Sequence, residues 1–400
     1  MVLKGDYVFN YTIKDIEKRQ VYITSDSTKK FLQGIKNEIE AKYGINHVSR
    51  DDIIDQIIAF FLEKKYILGS TENNYENIDC VIFRTDISTF FISVSTQKLY
   101  KKLSSSNILS KDAMDFIRFI NFSRGFNGLP LGLSPSNALA SIYLEDFENN
   151  IRLCLQPNLY NRFVDDIIVI KYINKEDNED PYNIETLFRN ELKKLNLNIN
   201  SAKTETITLN FKNKRNFNKS FSYLGYKFIF EENLKITIDS DKYKKIENNI
   251  KNLFYKYRLS CKGNKNFWVL YYNLKNILYG VTFLNKDGKK HKFGLAYSYK
   301  YINDKSCIYS LLKLCEDEIR KSPLTSKEKY KLFPILNVTS SEYKSRVKFN
   351  KDNSLLFLNN RLDYTNLSKT QKNVISKRLS IPESQTINSS KIFYYLKFDK

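Results

Sequence analysis

Histidine is nearly absent from this sequence: His47 and His291 are the only two. Zinc sites built on several histidines and paired-histidine acid–base chemistry are thereby excluded. Cysteine is scarce as well, with five residues at positions 80, 154, 261, 307 and 315, and no C-x-x-C pair. An odd, dispersed set predicts reduced, mostly buried thiols rather than a disulfide framework. Long apolar runs are also missing. The longest, around Ile53–Leu62, is broken by Asp55 and Gln56, and falls far short of the ~20 residues of a membrane span. The opening Met1-Val-Leu-Lys-Gly-Asp turns charged at once, so no signal peptide is expected. Together these absences predict a soluble, cytoplasmic protein with no membrane partner.

What the sequence does contain is charge and aromatic surface. Its 400 residues include 65 Lys+Arg against 44 Asp+Glu, a net charge of +21. That length suggests roughly two or three domains. With 42% hydrophobic and 14% aromatic residues, the composition is that of a globular protein, not of a disordered polybasic tail. The charge is lopsided: residues 1–250 carry 35 basic and 33 acidic residues, residues 251–400 carry 30 and 11. A balanced body joined to a basic, aromatic-rich region suggests a polyanion partner, most simply nucleic acid. Solubility charge in a Lys/Asn-rich proteome is the plainer account.

Apolar positions recur at helical spacing in Thr28–Tyr43 and Arg50–Tyr66, with Ser49-Arg-Asp-Asp as cap and first turn, so residues 1–80 read as mixed, mostly helical structure. Val81-Ile-Phe is a buried-type strand running into Asp86. Ser95–Leu103, Ser110–Phe122 and Ala138–Leu155 read as helices, the last preceded by the Gly/Pro/Ser segment Gly128–Asn137. Tyr160–Tyr172 has a hairpin pattern, Asn174–Pro181 is a polar loop, and Ile184–Leu195 is an amphipathic helix. Thr206–Phe211 and Phe221–Phe230 read as strands, with a basic loop Lys212–Lys219 between them. From Asp239 the pattern turns helical and basic (Lys242–Arg258, Trp268–Tyr279, Tyr309–Lys321), which sets a boundary near 240. The last 70 residues are polar and ambiguous.

Asp165 and Asp166 are adjacent carboxylates inside Arg162-Phe-Val-Asp-Asp-Ile-Ile-Val-Ile. Between apolar residues they are costly unless they face a polar cleft or a cation; an Asp-Asp hairpin turn is the simpler account. Asp86 ends a buried strand in Arg84-Thr-Asp-Ile-Ser-Thr-Phe-Phe91, where a helix N-cap is the simpler account. As a set, a strand-end carboxylate and a carboxylate pair 79 positions later could hold two Mg²⁺ ions. Such ions take hard oxygen ligands and leave room for phosphate oxygens or water. Two of them ~3.5–4 Å apart stabilise the attacking and leaving oxygens of a phosphoryl transfer. Between the two segments lies Gly128-Leu-Pro-Leu-Gly-Leu-Ser-Pro-Ser-Asn137, whose glycines allow close backbone approach, or which is a plain loop-to-helix junction.

These residues resemble bacterial reverse transcriptases (RNA-directed DNA polymerases), in particular the phage-defence-associated, abortive-infection and group II intron-like groups. Asp86-Ile-Ser-Thr-Phe-Phe91 is similar to the family's first catalytic motif. Gly128–Asn137 is similar to its template- and nucleotide-facing segment, and Phe163-Val-Asp-Asp166 to its aromatic-x-Asp-Asp box. Leu197-Asn-Ile-Asn-Ser-Ala-Lys203-Thr is similar to the palm lysine segment, and Phe221-Ser-Tyr-Leu224-Gly225-Tyr226 to the primer grip. Five motifs in family order over residues 81–230 carry the resemblance; outside them it is thin.

The resemblance implies an α+β right-hand polymerase. Residues 1–80 would form a fingers-like region, and 81–235 a palm with an antiparallel sheet packed on helices. Residues 236–330 would be a basic, mainly helical thumb, and 331–400 an extension of unassigned role. It implies that Asp86 and Asp165 ligate two Mg²⁺ ions, with Mn²⁺ as a substitute, assisted by the Ile87 carbonyl and tuned by Asp166. A primer 3′-hydroxyl would attack the α-phosphate of a dNTP. Lys203 would protonate the leaving pyrophosphate or neutralise its charge, unless it is a solvated lysine. Nucleotide contacts are expected from Ser88, Thr89, Phe90, Phe91, Leu131 and Gly132. Phe91 would exclude a ribose 2′-hydroxyl, while one of Phe90 and Phe91 packs inward. Template and primer contacts are expected from Gly128, Pro130, Ser134, Pro135, Ser136, Asn137, Leu224, Gly225 and Tyr226. Lys18, Arg19, Lys29, Lys30 and Arg50 are further triphosphate or template candidates.

Two residues depart from the family pattern: Leu131 where Gln is usual, and Phe163 where Tyr is commoner. Neither removes a metal ligand. The implied partners are an RNA template (in the defence reading, a dedicated non-coding RNA), a DNA product, dNTPs, and a second copy or partner protein. In the basic region, Lys242-Tyr-Lys-Lys-Ile and Lys251–Arg258 would follow phosphates, and Lys286–Lys292 reads as a charged turn. Three rival readings remain. One is DNA synthesis without a template, hinted at by Leu131, or primed by a protein hydroxyl. Another is an idle RNA-binding scaffold, against which stand Asp86, Asp165, Asp166, Phe91 and Lys203. The third is an RNA-dependent RNA polymerase, disfavoured by Phe91 and by Val164 in place of Gly.

Overall fold

The protein is described by a computed structural model covering residues 11–16, 19–62, 79–123, 125–173, 182–210, 219–231, 234–261, 263–285, 288–337, 351–382 and 388–399. The chain divides into two compact units, Met1–Lys219 and Ser220–Lys400. Among the described residues no helix is long and apolar enough to cross a membrane. The polar loop at 174–181, most of the basic loop at 212–219, Lys18 and part of the 286–292 turn lie outside them.

The first unit opens with an antiparallel hairpin, β1 (Tyr11–Ile16) and β2 (Arg19–Thr24). The sequence pattern did not single out these two strands within its mixed, mostly helical start. Tyr22 is buried and packs its ring against Tyr11 and Phe126, giving the hairpin an aromatic anchor. Helices α1 (Asp26–Lys42) and α2 (Arg50–Leu62) follow. Ser25 caps α1 by accepting from the Thr28 amide, and the Ser49 hydroxyl accepts from the Asp52 amide as the sequence predicts.

A four-stranded antiparallel sheet forms the centre, in the order β4-β5-β3-β6. Its strands are β3 (Cys80–Asp86), β4 (Leu159–Phe163), β5 (Asp166–Tyr172) and β6 (Glu205–Leu209). The short α3 (Phe90–Ser93), then α4 (Thr96–Ser106), α5 (Lys111–Phe122), α6 (Ser136–Leu155) and α7 (Tyr182–Lys194) fill the intervals. Strand alternation places Val81, Phe83, Ile167 and Val169 on one face, buried in a single core with residues of α6 and α7. There Phe83, Phe147 and Phe188 meet at centroid distances of 4.7 and 5.5 Å. The other face meets α2, where Asn161 donates to Gln56 and Tyr172 stacks on Phe60. A sheet covered on both faces explains why β3 and β5 are nearly continuous apolar runs.

The second unit begins with a meander, β7 (Lys219–Tyr223), β8 (Tyr226–Phe230) and β9 (Leu234–Ile238). Phe221–Phe230 is thus two strands broken at Leu224-Gly225, not one. Helices α8 (Ser240–Leu259) and α9 (Asn264–Leu278) lead to a hairpin, β10 (Gly280–Leu284) and β11 (Lys290–Phe293). The short α10 (Leu295–Ser298), α11 (Lys305–Lys321) and α12 (Ser326–Leu332) come next. Described parts of the last 70 residues pack on this unit: β12 (Arg361–Asp363) joins β10 in parallel, and Arg378 of the helix Lys369–Leu379 lies 3.8 Å over the Trp268 ring. At the far end, Asn266 exchanges hydrogen bonds with the Asp399 backbone. A small sheet thus stands between the helices of this basic, mainly helical region.

Candidate active site

Strand β3 ends where the antiparallel β5 begins, and their register sets Asp86 directly opposite Asp166. Like charges facing across a sheet are unfavourable, so this pairing calls for a counter-charge. The hairpin β4–β5 turns through Val164 and Asp165, with Phe163 opposite Asp166. Val164 has φ +61, in the left-handed region that a β-branched residue rarely adopts. The Ile87 amide donates to the Asp165 carbonyl at 3.1 Å and locks the turn to the end of β3. Three carboxylates from two motifs 79 positions apart thereby gather at one sheet end. Asp86 does not cap a helix; Thr89, at φ +45, occupies the N-cap position of α3.

The Asp86 side chain is 7% exposed. Its Oδ2 accepts from Lys203 Nζ at 2.5 Å and from Asn200 Nδ2 at 3.3 Å, while Oδ1 is buried without a hydrogen-bond partner. The Asn200 amide also donates to the Asp86 carbonyl, and the Ser88 amide to the Asn198 carbonyl, which tie the Leu197–Lys203 segment to the strand end. Burial, and then the neighbouring charge of Asp86, raise the Asp165 pKa above the usual carboxylate range. Asp166 is pushed up to about 6, by burial first and then by Asp165 and Asp86. The hydrogen bond to Asp86 raises the Lys203 pKa, keeping Nζ charged.

This donor set fits a hard divalent cation. It is all oxygen, it is electrostatically frustrated, and it includes an orphaned buried carboxylate oxygen on Asp86. It is not a closed cage: among the described residues no group of three or more His, Cys, Asp and Glu side chains is arranged to hold a metal alone. A pair of carboxylates completed by phosphate oxygens is the usual way Mg²⁺-type ions are held at phosphoryl-transfer sites.

The segment Gly128–Asn137 braces this region. The Leu129 amide donates to the Phe91 carbonyl at 2.7 Å. Gly128 sits at φ +74, and a Cβ there would fall 2.2 Å from that carbonyl oxygen and 2.6 Å from Ile92. On the other side the Tyr22 amide donates to the Leu131 carbonyl at 2.7 Å, and a Cβ on Gly132, at φ +96, would fall 2.6 Å from the Tyr22 carbonyl. The two glycines thus let one loop touch both α3 and the β1–β2 hairpin, which only glycine permits.

Burial sorts the expected contact residues. Phe90 is 2% exposed and packs in the core, leaving the half-buried Phe91 as the aromatic nearer the surface. Pro130, Pro135 and Ser136 are buried, and the Ser136 hydroxyl donates to the Pro130 carbonyl. Their side chains shape the loop rather than offer it a ligand. Tyr226 is fully buried in the second unit, where its hydroxyl donates to the Ser298 carbonyl. Leu131, Ser134, Leu224 and Gly225 are half-buried; Gly132 and Asn137 are exposed. Arg19 opens β2, Arg50 opens α2, and Lys29 pairs with Asp26 at 3.2 Å. Asn200 and Tyr22 were missed by sequence reasoning. Asn200 lies inside the palm lysine segment, three positions before Lys203, and that spacing was the available signal.

The sequence profile of the family described as reverse transcriptase (RNA-dependent DNA polymerase) matches residues 19–228, just over half of the chain. Among curated proteins none matches in sequence. Solved structures that match include apo telomerase from Candida tropicalis truncated from its C-terminal domain, at 18% identity and TM-score 0.37, covering 53% of this chain and 45% of that one. Telomerase from Candida albicans in complex with a TWJ fragment of telomeric RNA matches at 14% identity and TM-score 0.39, covering 93% and 56%. Apo telomerase from Candida tropicalis matches at 14% identity and TM-score 0.41, covering 94% and 61%. The chain spans between about half and three fifths of the length of these structures.

Proposed function

Because this chain belongs to the reverse transcriptase family, we propose that it is an RNA-directed DNA polymerase adding deoxynucleotides to a 3′ end. The observation that carries the reading is the meeting of Asp86, Asp165 and Asp166 at one sheet end, with Asp86 Oδ1 buried and unpartnered. Asp86 and Asp165 would hold two Mg²⁺ ions, Mn²⁺ substituting, with the Ile87 carbonyl beside them and Asp166 tuning the pair. Bound there, the ions supply Lewis-acid stabilisation of the attacking hydroxyl and of the triphosphate charge. Asn200 and the Ile87 amide keep Asp86 and the Asp165 turn in place. Lys203, held charged beside Asp86, neutralises the departing pyrophosphate or gives it a proton. Phe91, held by Leu129 and backed by Gly128, flanks the sugar and disfavours a 2′-hydroxyl. Ser88, Thr89, Leu131 and Gly132 border the nucleotide, and Gly128, Ser134, Asn137 and the Leu224-Gly225 turn meet template and primer.

The finer reading, a bacterial antiphage enzyme copying a dedicated non-coding RNA, is supported by the motif resemblance and by nothing else. One experiment separates the readings. The protein is purified with its bound nucleic acid and given labelled dNTPs or NTPs with Mg²⁺, and any product is sequenced, with Asp165→Asn/Asp166→Asn as control. DNA complementary to the bound RNA is the expected result. DNA without a complement moves the reading to template-independent synthesis, with Leu131 as the first suspect. No product under any condition leaves an RNA-binding scaffold.

A further inference from the structure

The turn that presents Asp165 is held from two sides. On one side the Asp165 carbonyl accepts from the Ile87 amide at 3.1 Å. On the other, the Val164 carbonyl accepts from Arg162 Nη1 at 2.8 Å. Arg162 is itself fixed: its Nε donates to Glu148, and its Nη2 reaches Ser141 Oγ at 3.4 Å. Glu148 and Ser141 both lie on α6, the helix that begins where the Gly128–Asn137 loop ends. The Arg162 side chain is 12% exposed. One planar guanidinium therefore joins α6 to the backbone of the turn through three separate donors, a geometry that a lysine ammonium cannot reproduce.

The contact matters because of what it restrains. Val164 stands at φ +61, a conformation that persists for a β-branched residue only when its surroundings over-determine it. Without Arg162 the carbonyl loses its partner, and Val164 can relax to negative φ. That rotation reorients the following peptide, and the Asp165 side chain moves with it. We propose that Arg162, fixed by Glu148, is a positioning residue of this site: it holds the left-handed Val164 turn and so sets where the Asp165 carboxylate stands relative to Asp86. The inference rests on the reading of Asp86 and Asp165 as metal ligands. Arg162 also lines a cavity of about 400 Å³, with Asn137, Ser141, Glu148 and Tyr160 on its wall. Truncating the side chain opens onto this cavity rather than into the apolar core.

The test is Mn²⁺ binding to the full-length protein, followed by electron paramagnetic resonance, with thermal melting alongside to report folding. Arg162→Ala and Arg162→Gln should each weaken Mn²⁺ binding about tenfold, as loss of a ligand-orienting partner does. Arg162→Lys should recover part of the affinity, and Glu148→Gln should lose less than Arg162→Ala. The decisive measurement is the pairing with Val164→Gly. Glycine adopts φ +61 without strain, so in that background Arg162→Ala should cost about threefold or less. A merely structural role would lower the melting temperature and leave the affinity of the folded protein unchanged. Unchanged Mn²⁺ affinity, or an equal loss with Val and Gly at 164, overturns the proposal. If Arg162→Ala does not fold, the Gln and Lys variants carry the same comparison. A wild-type protein that binds Mn²⁺ but makes no polymer would sink the polymerase reading, while the Mn²⁺ series would still decide the role of Arg162.

Discussion

The two units of this chain are built on opposite electrostatic terms. Met1–Lys219 holds 30 basic and 28 acidic residues, whereas Ser220–Lys400 holds 35 and 16. Each unit also contains a hairpin with a two-residue turn whose first member is left-handed. In the second unit the turn is Leu224-Gly225, at φ +47 and +84, and glycine eases the backbone. In the first it is Val164-Asp165, where Val164 stands at φ +61 and a β-branched side chain occupies the position that glycine would ease. The comparison teaches that the first unit tolerates local strain and acidic repulsion to place side chains, while the second is free to accumulate positive charge. One unit is organised around a position in space, the other around a field.

The most severe break in this division comes from the carboxylates. Asp86→Asn or Asp165→Asn should lower nucleotide addition by at least ~1000-fold, since a charge stabilisation worth several kcal/mol is lost. Nucleic-acid affinity, measured by fluorescence anisotropy, should stay within about twofold if the surplus positive charge of the second unit is what holds phosphates. A parallel fall in both would mean that the acidic cluster serves the binding surface too, and the division would fail. Next in size is Gly128→Ala. Its Cβ would stand 2.2 Å from the Phe91 carbonyl at φ +74, a clash with backbone that should cost about 3 kcal/mol. Melting should fall by roughly 6–12 °C for a unit of this size. Gly34→Ala, at a helical position with nothing within 4 Å, should instead gain about 0.5–1 kcal/mol.

Much of the first unit was legible because its signals are local. The run Val81–Phe83, the Asp165-Asp166 pair inside an apolar hairpin, and the capped helices α4 and α5 all follow from neighbours in sequence. The opening hairpin was not legible. Its two strands are six residues each and are exposed along most of β1, so no clean alternation marks them. What fixes the hairpin is Tyr22 against Phe126 and the Leu131 carbonyl, contacts more than a hundred positions away. The same holds at the site. Asp86, Asp165 and Lys203 were visible as motifs, but Arg162 carried no signal of its own, because its partners Ser141 and Glu148 lie on another element. In the second unit β12 pairs with β10 across some eighty positions, a pairing that periodicity in 331–400 could not announce. The direction of Tyr226 was hidden for a related reason: the motif fixes its place beside a turn, whereas its partner Ser298 holds its side chain inward.

The comparison can be sharpened within the first unit through Phe91. It is half-buried, in contrast to the 2% exposure of Phe90, and its carbonyl is pinned by Leu129. Phe91→Val should raise ribonucleotide incorporation relative to deoxynucleotide by about 10–100-fold, the range of a steric discrimination of 1–3 kcal/mol. Phe90→Val should chiefly lower stability, by ~1–3 kcal/mol, and leave sugar choice alone. Equal effects on sugar choice at the two positions would remove Phe91 from the nucleotide site. Because both residues sit on α3, the pair asks whether the first unit acts by position rather than by composition.

The smallest expected effect addresses the field of the second unit. Lys242, Lys244 and Lys245 are exposed on the first turns of α8, whereas Lys29 and Lys30 are exposed on α1 of the balanced unit. If the surplus charge holds nucleic acid by counterion release, changing the α8 lysines to alanine should flatten the slope of log K against log salt by about two to three. Each lost phosphate contact contributes roughly 0.7–0.9. Affinity at moderate salt should fall about tenfold, with the rate of nucleotide addition at saturating substrate nearly unchanged. Lys29→Ala/Lys30→Ala should change the slope little, because Lys29 is already paired with Asp26 and the surrounding charge is balanced. If the α1 pair moved the slope as much per lysine as the α8 set, nucleic acid would be following individual cations on both units. Net charge would then have no claim to mark where the partner is held.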